Sequence, residues 1–136
     1  LDTIQAAILL EKLKIFDNEL FLRNKKAEYY NDNIHNKFKK PFIPKDYLSS
    51  WAQYSILPGS RYDRDYAMSK LKKEAIPSMI YYRIPLHLQK VFHDLGYEKG
   101  QFPQSEKIAD QIFSIPMHPY LAKDEQDRIL EAMQGE

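Results

Sequence analysis

The sequence predicts an α+β fold, in which a long N-terminal helix precedes a small sheet of two or three strands flanked by helices. Residues 2–34 contain no proline or glycine and repeat apolar residues at helical spacing. Segments 49–58 and 78–82 are strand-like and enclose a second helical segment. We therefore expect residues 1–35 to form a linking helix and residues 36–136 a small α/β domain.

The composition of the 136 residues is that of one globular domain, with 43% hydrophobic and 29% charged residues. Twenty basic and 19 acidic residues leave a net charge of +1, which gives no electrostatic argument for binding nucleic acid or an anionic membrane. No apolar run approaches the roughly 18–20 residues of a membrane span. The absence of cysteine fits a reducing compartment, so we expect a cytoplasmic protein.

The first helix is expected to begin after Asp2, whose carboxylate can cap the first turn. It carries two apolar stripes on nearly opposite sides, where a surface helix has one; they are Ile4, Ile8, Ile15 and Leu22, and Leu9, Leu13, Phe16 and Leu20. This predicts either one helix held between two bodies or two shorter helices broken near Asp17, which would cap the second. In both cases one stripe would face chain outside this sequence or a second copy.

The middle of the chain alternates irregular and regular segments. Residues 38–44 contain two prolines and predict an irregular connector. In segment 49–58, residues 52, 54 and 56 would share one face of a strand. Ser60 and Asp63 resemble a capping box that opens a helix reaching about residue 75. The buried edge of that helix is expected to be Ala67, Leu71 and Ala75.

The remaining elements follow Pro77, which is expected to end the second helix. Residues 78–82 predict a second strand, and residues 87–95 a short helix closed by Gly96. Residues 104–113 predict a helix, and residues 114–117 a short third strand. The inward residues of that helix would be Ile108, Ala109, Ile112 and Phe113. A last helix over 123–133 would bury Ile129, Leu130 and Met133.

The residues alone show no complete catalytic set. The four glycines do not have phosphate-loop spacing, and there is no serine or cysteine nucleophile motif. The four histidines do not have metal-ligand spacing; they are His35, His87, His93 and His118. The residues therefore predict no metal site.

The richest segment for chemistry is 76–87, Ile-Pro-Ser-Met-Ile-Tyr-Tyr-Arg-Ile-Pro-Leu-His. Tyr81 and Tyr82 would point to opposite faces of a strand, so one could pack in the core while the other reaches a ligand. Arg83 offers a planar cation for carboxylate or phosphate, and His87 would follow the proline turn. From the residues alone, ordinary aromatic packing where a strand ends is the preferred interpretation of this segment.

Three motifs stand in order along the chain. The first motif covers residues 1–24, which begin Leu-Asp-Thr-Ile-Gln-Ala-Ala-Ile-Leu-Leu-Glu-Lys-Leu-Lys-Ile-Phe-Asp and include Arg23. Residues 81–89 are Tyr-Tyr-Arg-Ile-Pro-Leu-His-Leu-Gln. Residues 102–106 are Phe-Pro-Gln-Ser-Glu, followed at 114–121 by Ser-Ile-Pro-Met-His-Pro-Tyr-Leu. These resemble the segment after Asn-x-Arg, the (His/Tyr)-Tyr-x-x-Pro-Leu-His-x-Gln motif and the Ser-Leu-Pro-Met-His-Pro-x-Leu block of the DegT/DnrJ/EryC1/StrS family. Members are pyridoxal-phosphate-dependent sugar aminotransferases of fold type I.

The resemblance implies that this chain is the C-terminal small domain of such an enzyme. The whole protein would be a homodimer that uses pyridoxal 5'-phosphate to transfer an amino group from glutamate to a keto-sugar nucleotide. The pathway implied is cell-surface polysaccharide or glycan biosynthesis. The cofactor-binding large domain, with its Schiff-base lysine, would lie N-terminal to Leu1. We therefore expect this chain alone to be inactive, with no catalytic residue and no bound cofactor.

The family resemblance also implies the site residues. In relatives, the residues matching Tyr81 and Tyr82 approach the sugar nucleotide, which implies substrate binding for both and, less directly, for His87. Arg83 departs from the commoner proline or lysine and is added for its guanidinium. His118 is expected to be a structural histidine where a strand ends.

Two other hypotheses stay open at the level of sequence. One is a non-catalytic regulatory or protein-interaction domain of the same family, which the doubly apolar first helix favours. The other is an independent small α/β enzyme, for which no catalytic set is present.

Overall fold

In the computed structural model, which describes residues 2–134, the N-terminal segment forms two helices, α1 (Thr3–Leu13) and α2 (Phe16–Asn33). Asp2 caps α1 as predicted, because its Oδ1 accepts from the Gln5 amide at 2.9 Å. The chain turns at residues 14–15, so the alternative of two shorter helices is confirmed. Asp17 does not cap α2, because the capping position is Ile15; Asp17 lies in the first turn, where a negative charge is favourable.

Neither apolar stripe of α1 is buried, and every described residue of this helix is exposed or half-buried. Leu20 and Leu22 of α2 are half-buried, and burial becomes complete only at Ala27 and Tyr30. The second half of α2 therefore belongs to the core while α1 stands outside it. The first residue of the expected segment 1–35 and the last two residues of the expected segment 36–136 lie outside the described residues. The division between them stays a prediction.

The sheet consists of β1 (Tyr54–Ile56) and β2 (Phe113–Ile115), which pair antiparallel with Ser55 opposite Ser114. Residues 38–44 are irregular as predicted, apart from a bridge between Lys39 and Leu57. The strand predicted over 49–58 shortens to three residues. Trp51, at φ 48°, interrupts the extended backbone before β1.

The strand predicted at 78–82 is wrong, because only Met79 pairs with the sheet. Its amide donates to the Ser114 carbonyl at 3.0 Å, and the Ser114 amide donates back at 2.7 Å. Continued antiparallel pairing would place Tyr81 opposite Ile112. The Ile112 amide is already bonded to Ile108 O at 2.8 Å as the last bond of a helix. The ladder therefore stops, and the segment after Ile80 leaves the sheet.

Helix α3 (Arg61–Lys73) begins as predicted at Ser60, whose Oγ accepts from the Asp63 amide at 3.1 Å. Ala67 and Leu71 are buried as predicted. Ala75 is not, because it lies beyond the end of the helix in the left-handed region, at φ 55°.

Residues 86–95 form two 3-10 helices, Leu86–Leu88 and Lys90–Leu95, where a short helix over 87–95 was predicted. Gly96 closes the second as predicted, at φ 73°. Helix α4 (Pro103–Gln111) buries Ala109. Phe113 was predicted to lie in this helix but belongs to β2, because the backbone becomes extended at residue 112.

Helix α5 (Lys123–Gln134) completes the core and buries its three predicted residues. It also buries Gln126, whose Nε2 donates to the Lys26 carbonyl of α2 at 3.1 Å. None of the helices in residues 2–134 has the length and apolar character needed to cross a membrane. The core therefore lies between the sheet, α2, α3 and α5, and its largest buried side chains are Tyr30, Tyr54, Phe113, Ile56, Leu71 and Gln126.

Candidate functional site

A cleft of about 670 Å³ opens between the 3-10 segment and α4, and we call it the apolar cleft. Its two walls are residues 82–97 with Phe102, and one face of α4. Most of the surface is hydrocarbon, and a few polar groups are set into it. The lining residues are Tyr82, Ile84, Pro85, Leu86, His87, Gln89, Phe92, Leu95, Tyr97, Phe102, Ser105, Ile108, Ala109 and Ile112.

Local sequence sets the first wall of the apolar cleft. Pro85 stands at the start of the first 3-10 helix with φ −55°, the value that its ring imposes. The Gln89 side chain reaches back and donates to Ile84 O at 3.3 Å. Gly96 then reverses the chain, because its left-handed backbone suits a residue without Cβ. This wall is therefore a tight pair of turns.

His87 and Glu106 join the two walls. His87 Nε2 lies 3.1 Å from Glu106 Oε1, and their side chains are only 8% and 16% exposed. The same oxygen accepts from the Gly100 amide at 2.7 Å and the Phe102 amide at 3.4 Å. The Gly100 amide, with His87 and Phe102 contributing less, holds the pKa of Glu106 below its usual value, so the carboxylate is ionised at neutral pH.

Aromatic rings surround this pair. The Phe102 ring lies 4.7 Å from the His87 ring and 5.3 Å from the Tyr97 ring, centroid to centroid. The tilted and edge-on arrangements are those that aromatic rings favour. His87 is therefore fixed by a carboxylate through its Nε2 atom and by a ring against one face.

The structure brings two of the four predicted site residues together. Tyr82 and His87 both line the apolar cleft. Tyr81 lines a separate hollow of about 200 Å³ beside Met79. Arg83 is exposed, lines neither space, and makes no hydrogen bond or ion pair within residues 2–134.

The expectation that one tyrosine packs in the core is wrong. Tyr81 is 55% exposed and Tyr82 is 64% exposed. The reason is the early end of the ladder at Met79, which leaves both tyrosines outside the sheet.

Glu106 is the site residue to which sequence reasoning gave no role. In the sequence, Glu106 is noted only as the last residue of the Phe-Pro-Gln-Ser-Glu motif. Its position four residues after the Phe102 cap, in the first turn of α4, marks a carboxylate able to reach back to free backbone amides. Its contact with His87, however, spans 19 residues and depends on the fold.

The apolar cleft supplies binding groups for a ligand, but its lining does not suit the phosphate of a cofactor. The apolar cleft has no lysine or arginine in its lining, so it offers no cation to a phosphate group, and its one histidine is engaged by Glu106. Pyridoxal phosphate therefore does not fit the residues that line the apolar cleft. Within residues 2–134 there is also no group of three or more metal-ligating side chains placed to hold an ion. His118 is exposed, and its carbonyl accepts from the Leu121 amide at 3.3 Å.

Comparison with known proteins gives consistent matches along the whole chain. The model of the DegT/DnrJ/EryC1/StrS aminotransferase family matches residues 1–134. The UDP-2-acetamido-2-deoxy-3-oxo-D-glucuronate aminotransferase of Pseudomonas aeruginosa is 42% identical over 122 residues, which are 89% of this chain and 32% of that protein. A pleiotropic regulatory protein of Geobacillus stearothermophilus is 36% identical and covers 96% of this chain and 36% of its own length.

Solved structures agree with the sequence relatives. The crystal structure of a DegT DnrJ EryC1 StrS aminotransferase from Brucella abortus superposes with a TM-score of 0.89 at 44% identity. That match covers 99% of this chain and 35% of the Brucella protein. The chain thus spans about a third of the length of the relatives it matches.

Proposed function

Because the chain belongs to the DegT/DnrJ/EryC1/StrS aminotransferase family, we propose that it is the C-terminal small domain of an aminotransferase acting on keto-sugar nucleotides. The observation that carries this proposal is the family match over residues 1–134. The Pseudomonas relative, whose name specifies a UDP-linked 3-oxo sugar, supports the substrate class. Glutamate is the proposed amino donor, and cell-surface polysaccharide or glycan biosynthesis is the proposed pathway.

We propose that pyridoxal 5'-phosphate is held by the part of the protein N-terminal to Leu1, which would also supply the catalytic lysine. The absence of a cation from the lining of the apolar cleft supports this division. When bound, the cofactor supplies the electron sink for amino transfer. No step of the reaction is assigned to the residues of this chain, which would act by binding and orienting substrate.

The substrate-binding residues we propose are Tyr81, Tyr82, Arg83 and His87. The two tyrosines present hydroxyl groups and flat ring faces at an exposed turn, which suits the sugar hydroxyls and the base of a nucleotide. Arg83 offers an uncommitted guanidinium to a phosphate or carboxylate. His87 follows this turn in the chain and lines the apolar cleft.

We also propose a cytoplasmic homodimer. Support for a second subunit comes from α1, an 11-residue helix with no buried residue, on which Ile4, Ile8, Leu10 and Leu13 are exposed. Apolar surface of this extent on one helix is usually covered in the assembled protein. Either the remainder of the subunit or the second subunit would cover it.

The test is an assay of the whole protein, as its gene encodes it, with pyridoxal phosphate, glutamate and a panel of UDP- and dTDP-linked keto sugars. The expected result is 2-oxoglutarate formed in step with an amino-sugar nucleotide. A protein that binds the cofactor yet forms neither product across the panel would overturn the proposal.

A regulatory role is the second candidate, favoured by the 36% identity to a protein named as a pleiotropic regulator. In that case the exposed surface of α1 would bind a partner protein. The same assay separates the two candidates. A regulator would bind no cofactor and give no amino transfer. The aminotransferase would bind the cofactor and transfer the amino group.

A further inference from the structure

We propose that Glu106 is a positioning residue for the substrate-binding turn. Its carboxylate fixes His87, and through His87 it sets where Tyr82 and Arg83 stand. This inference rests on the proposed function, because it assigns Glu106 to the sugar-nucleotide half of the reaction. Glu106 itself touches neither substrate nor cofactor in this scheme.

The turn is held at its two ends, and the Gln89 side chain also donates to the Ile84 carbonyl at 3.3 Å. Before it, Met79 is bonded to Ser114 of β2 through both of its backbone groups. After it, His87 is bonded to Glu106. The side chains between these anchors, at residues 81–84, are exposed and make no side-chain hydrogen bond within the described part of the chain. The position of the turn is therefore set by its anchors.

Three hydrogen-bond donors converge on one carboxylate oxygen of Glu106. Its Oε1 accepts from His87 Nε2, from the Gly100 amide and from the Phe102 amide. These donors come from the first 3-10 helix, from the loop after Gly96 and from the start of α4. The half-buried carboxylate makes charge-assisted hydrogen bonds to the Gly100 amide at 2.7 Å and to His87 at 3.1 Å, and the contact with the Phe102 amide at 3.4 Å is weaker. Loss of this oxygen would release all three segments at once.

The Glu106 carboxylate also determines which ring nitrogen of His87 carries the proton. An ionised carboxylate only accepts, so Nε2 of His87 carries a proton in this arrangement. In the neutral ring Nδ1 is then the acceptor. Glu106 thereby fixes both the orientation of the imidazole and the nitrogen that is left for a ligand.

A purely structural role for Glu106, as the cap of α4, makes a different prediction. Loss of the cap would weaken the whole domain and lower both halves of the transamination together. A positioning role should affect the half that uses the sugar nucleotide and spare the half that uses glutamate.

The experiment compares Glu106→Ala, Glu106→Gln and the control Glu98→Gln in the whole protein. Glu98 lies in the same loop, and its carboxylate makes no hydrogen bond within residues 2–134. Each half-reaction is followed separately by the absorbance of the bound cofactor. We expect Glu106→Ala to raise the KM for the keto-sugar nucleotide on the order of tenfold, since charge-assisted hydrogen bonds are lost. The glutamate half-reaction should be unchanged.

Glu106→Gln should have a smaller effect, because an amide oxygen can still accept from the backbone amides although its charge is gone. This variant also keeps the inference testable if Glu106→Ala does not fold. Glu98→Gln should match the wild type. Equal losses in both half-reactions, or an unchanged KM in both Glu106 variants, would overturn the positioning role.

A second measurement does not depend on activity. Nitrogen NMR of histidine-labelled protein reports which ring nitrogen of His87 carries the proton. We expect the Nε2-protonated form in the wild type and a mixture of both forms in Glu106→Ala. If the whole protein is active but the same ring nitrogen of His87 is protonated in the wild type and in Glu106→Ala, this inference alone is overturned. An inactive wild type would overturn the proposed function, and with it the substrate role of the turn.

Discussion

The Tyr120 hydroxyl donates to Glu19 Oε1 at 2.6 Å and so ties the turn after β2 to helix α2. The same carboxylate oxygen accepts from Lys12 Nζ of α1 at 2.6 Å. Lys12 and, to a smaller extent, Tyr120 hold the pKa of Glu19 below its usual value. Glu19 is thus the polar connection between the body of the domain and a helix that buries none of its residues.

We predict that Glu19→Gln loosens α1 in the 136-residue chain without unfolding the core. The ion pair to Lys12 is lost, and α1 has no buried side chain to replace it. Hydrogen exchange should show faster exchange of the α1 amides and unchanged exchange in α5. The matched control is Glu11→Gln, which removes the Glu11–Lys14 pair close to the end of the same helix. Equal exchange in the two variants would contradict the prediction.

We predict that Leu71→Ala lowers the free energy of unfolding by about 2–5 kcal/mol, the range for a buried leucine that leaves a cavity. Leu71 is 0% exposed in the core. The control Leu13→Ala removes the same atoms from the exposed side of α1 and should change stability by no more than about 0.5 kcal/mol. Urea titration of both variants measures the difference. A comparable loss in both would show that α1 is packed more closely than its exposure indicates.

Stability should fall on acidification because of Glu106. The pKa of this carboxyl is lowered in the folded protein from its usual 4.5, chiefly by the Gly100 amide. A lowered pKa means that its stabilisation is fully present above pH 4.5 and is lost as the pH falls through the folded value. Glu106→Gln has no group to titrate at this position.

We therefore expect the melting temperature of Glu106→Gln to decline less than that of the wild type between neutral pH and the acid range. Thermal melts over a pH series measure this. Glu98→Gln, which removes a carboxylate without a hydrogen bond in the described residues, should keep the wild-type decline. An identical decline in all three proteins would contradict the prediction.

Tyr82→Phe should weaken use of the sugar nucleotide in the whole protein. Tyr82 lines the apolar cleft, and this change removes its hydroxyl while the ring stays. Loss of one hydrogen bond corresponds to a KM raised roughly three- to tenfold. Tyr62→Phe is the control, since Tyr62 is exposed on α3 and lines neither hollow. Equal kinetics in the two variants would remove Tyr82 from the proposed site.

Features that depend on neighbouring residues were predictable from the sequence. The caps at Asp2 and Ser60 each act on an amide three residues away, so the residue types were sufficient. The buried face of α5 followed from apolar spacing alone. The family resemblance then directed attention to Tyr82 and His87, which the structure places in one cleft.

The errors arose where distant residues decide the outcome. The strand expected at 78–82 stops because the Ile112 amide belongs to α4, which no local pattern around Tyr81 reveals. Trp51 fits a strand by residue type, yet its backbone lies in the left-handed region. The His87–Glu106 contact joins residues that are 19 apart in the chain, and local sequence patterns did not predict the fold that brings them together.

The small sheet has a consequence for how copies of the protein could associate. Lys39 pairs with Leu57 beyond the end of β1, on its outer edge, and Met79 pairs with Ser114 on the outer edge of β2. Each strand is also only three residues long. An incoming strand from another molecule would therefore find few free backbone groups to extend the sheet. Association through sheet extension is thereby disfavoured, both for an ordered assembly and for aggregation, and contacts between copies are left to the helices.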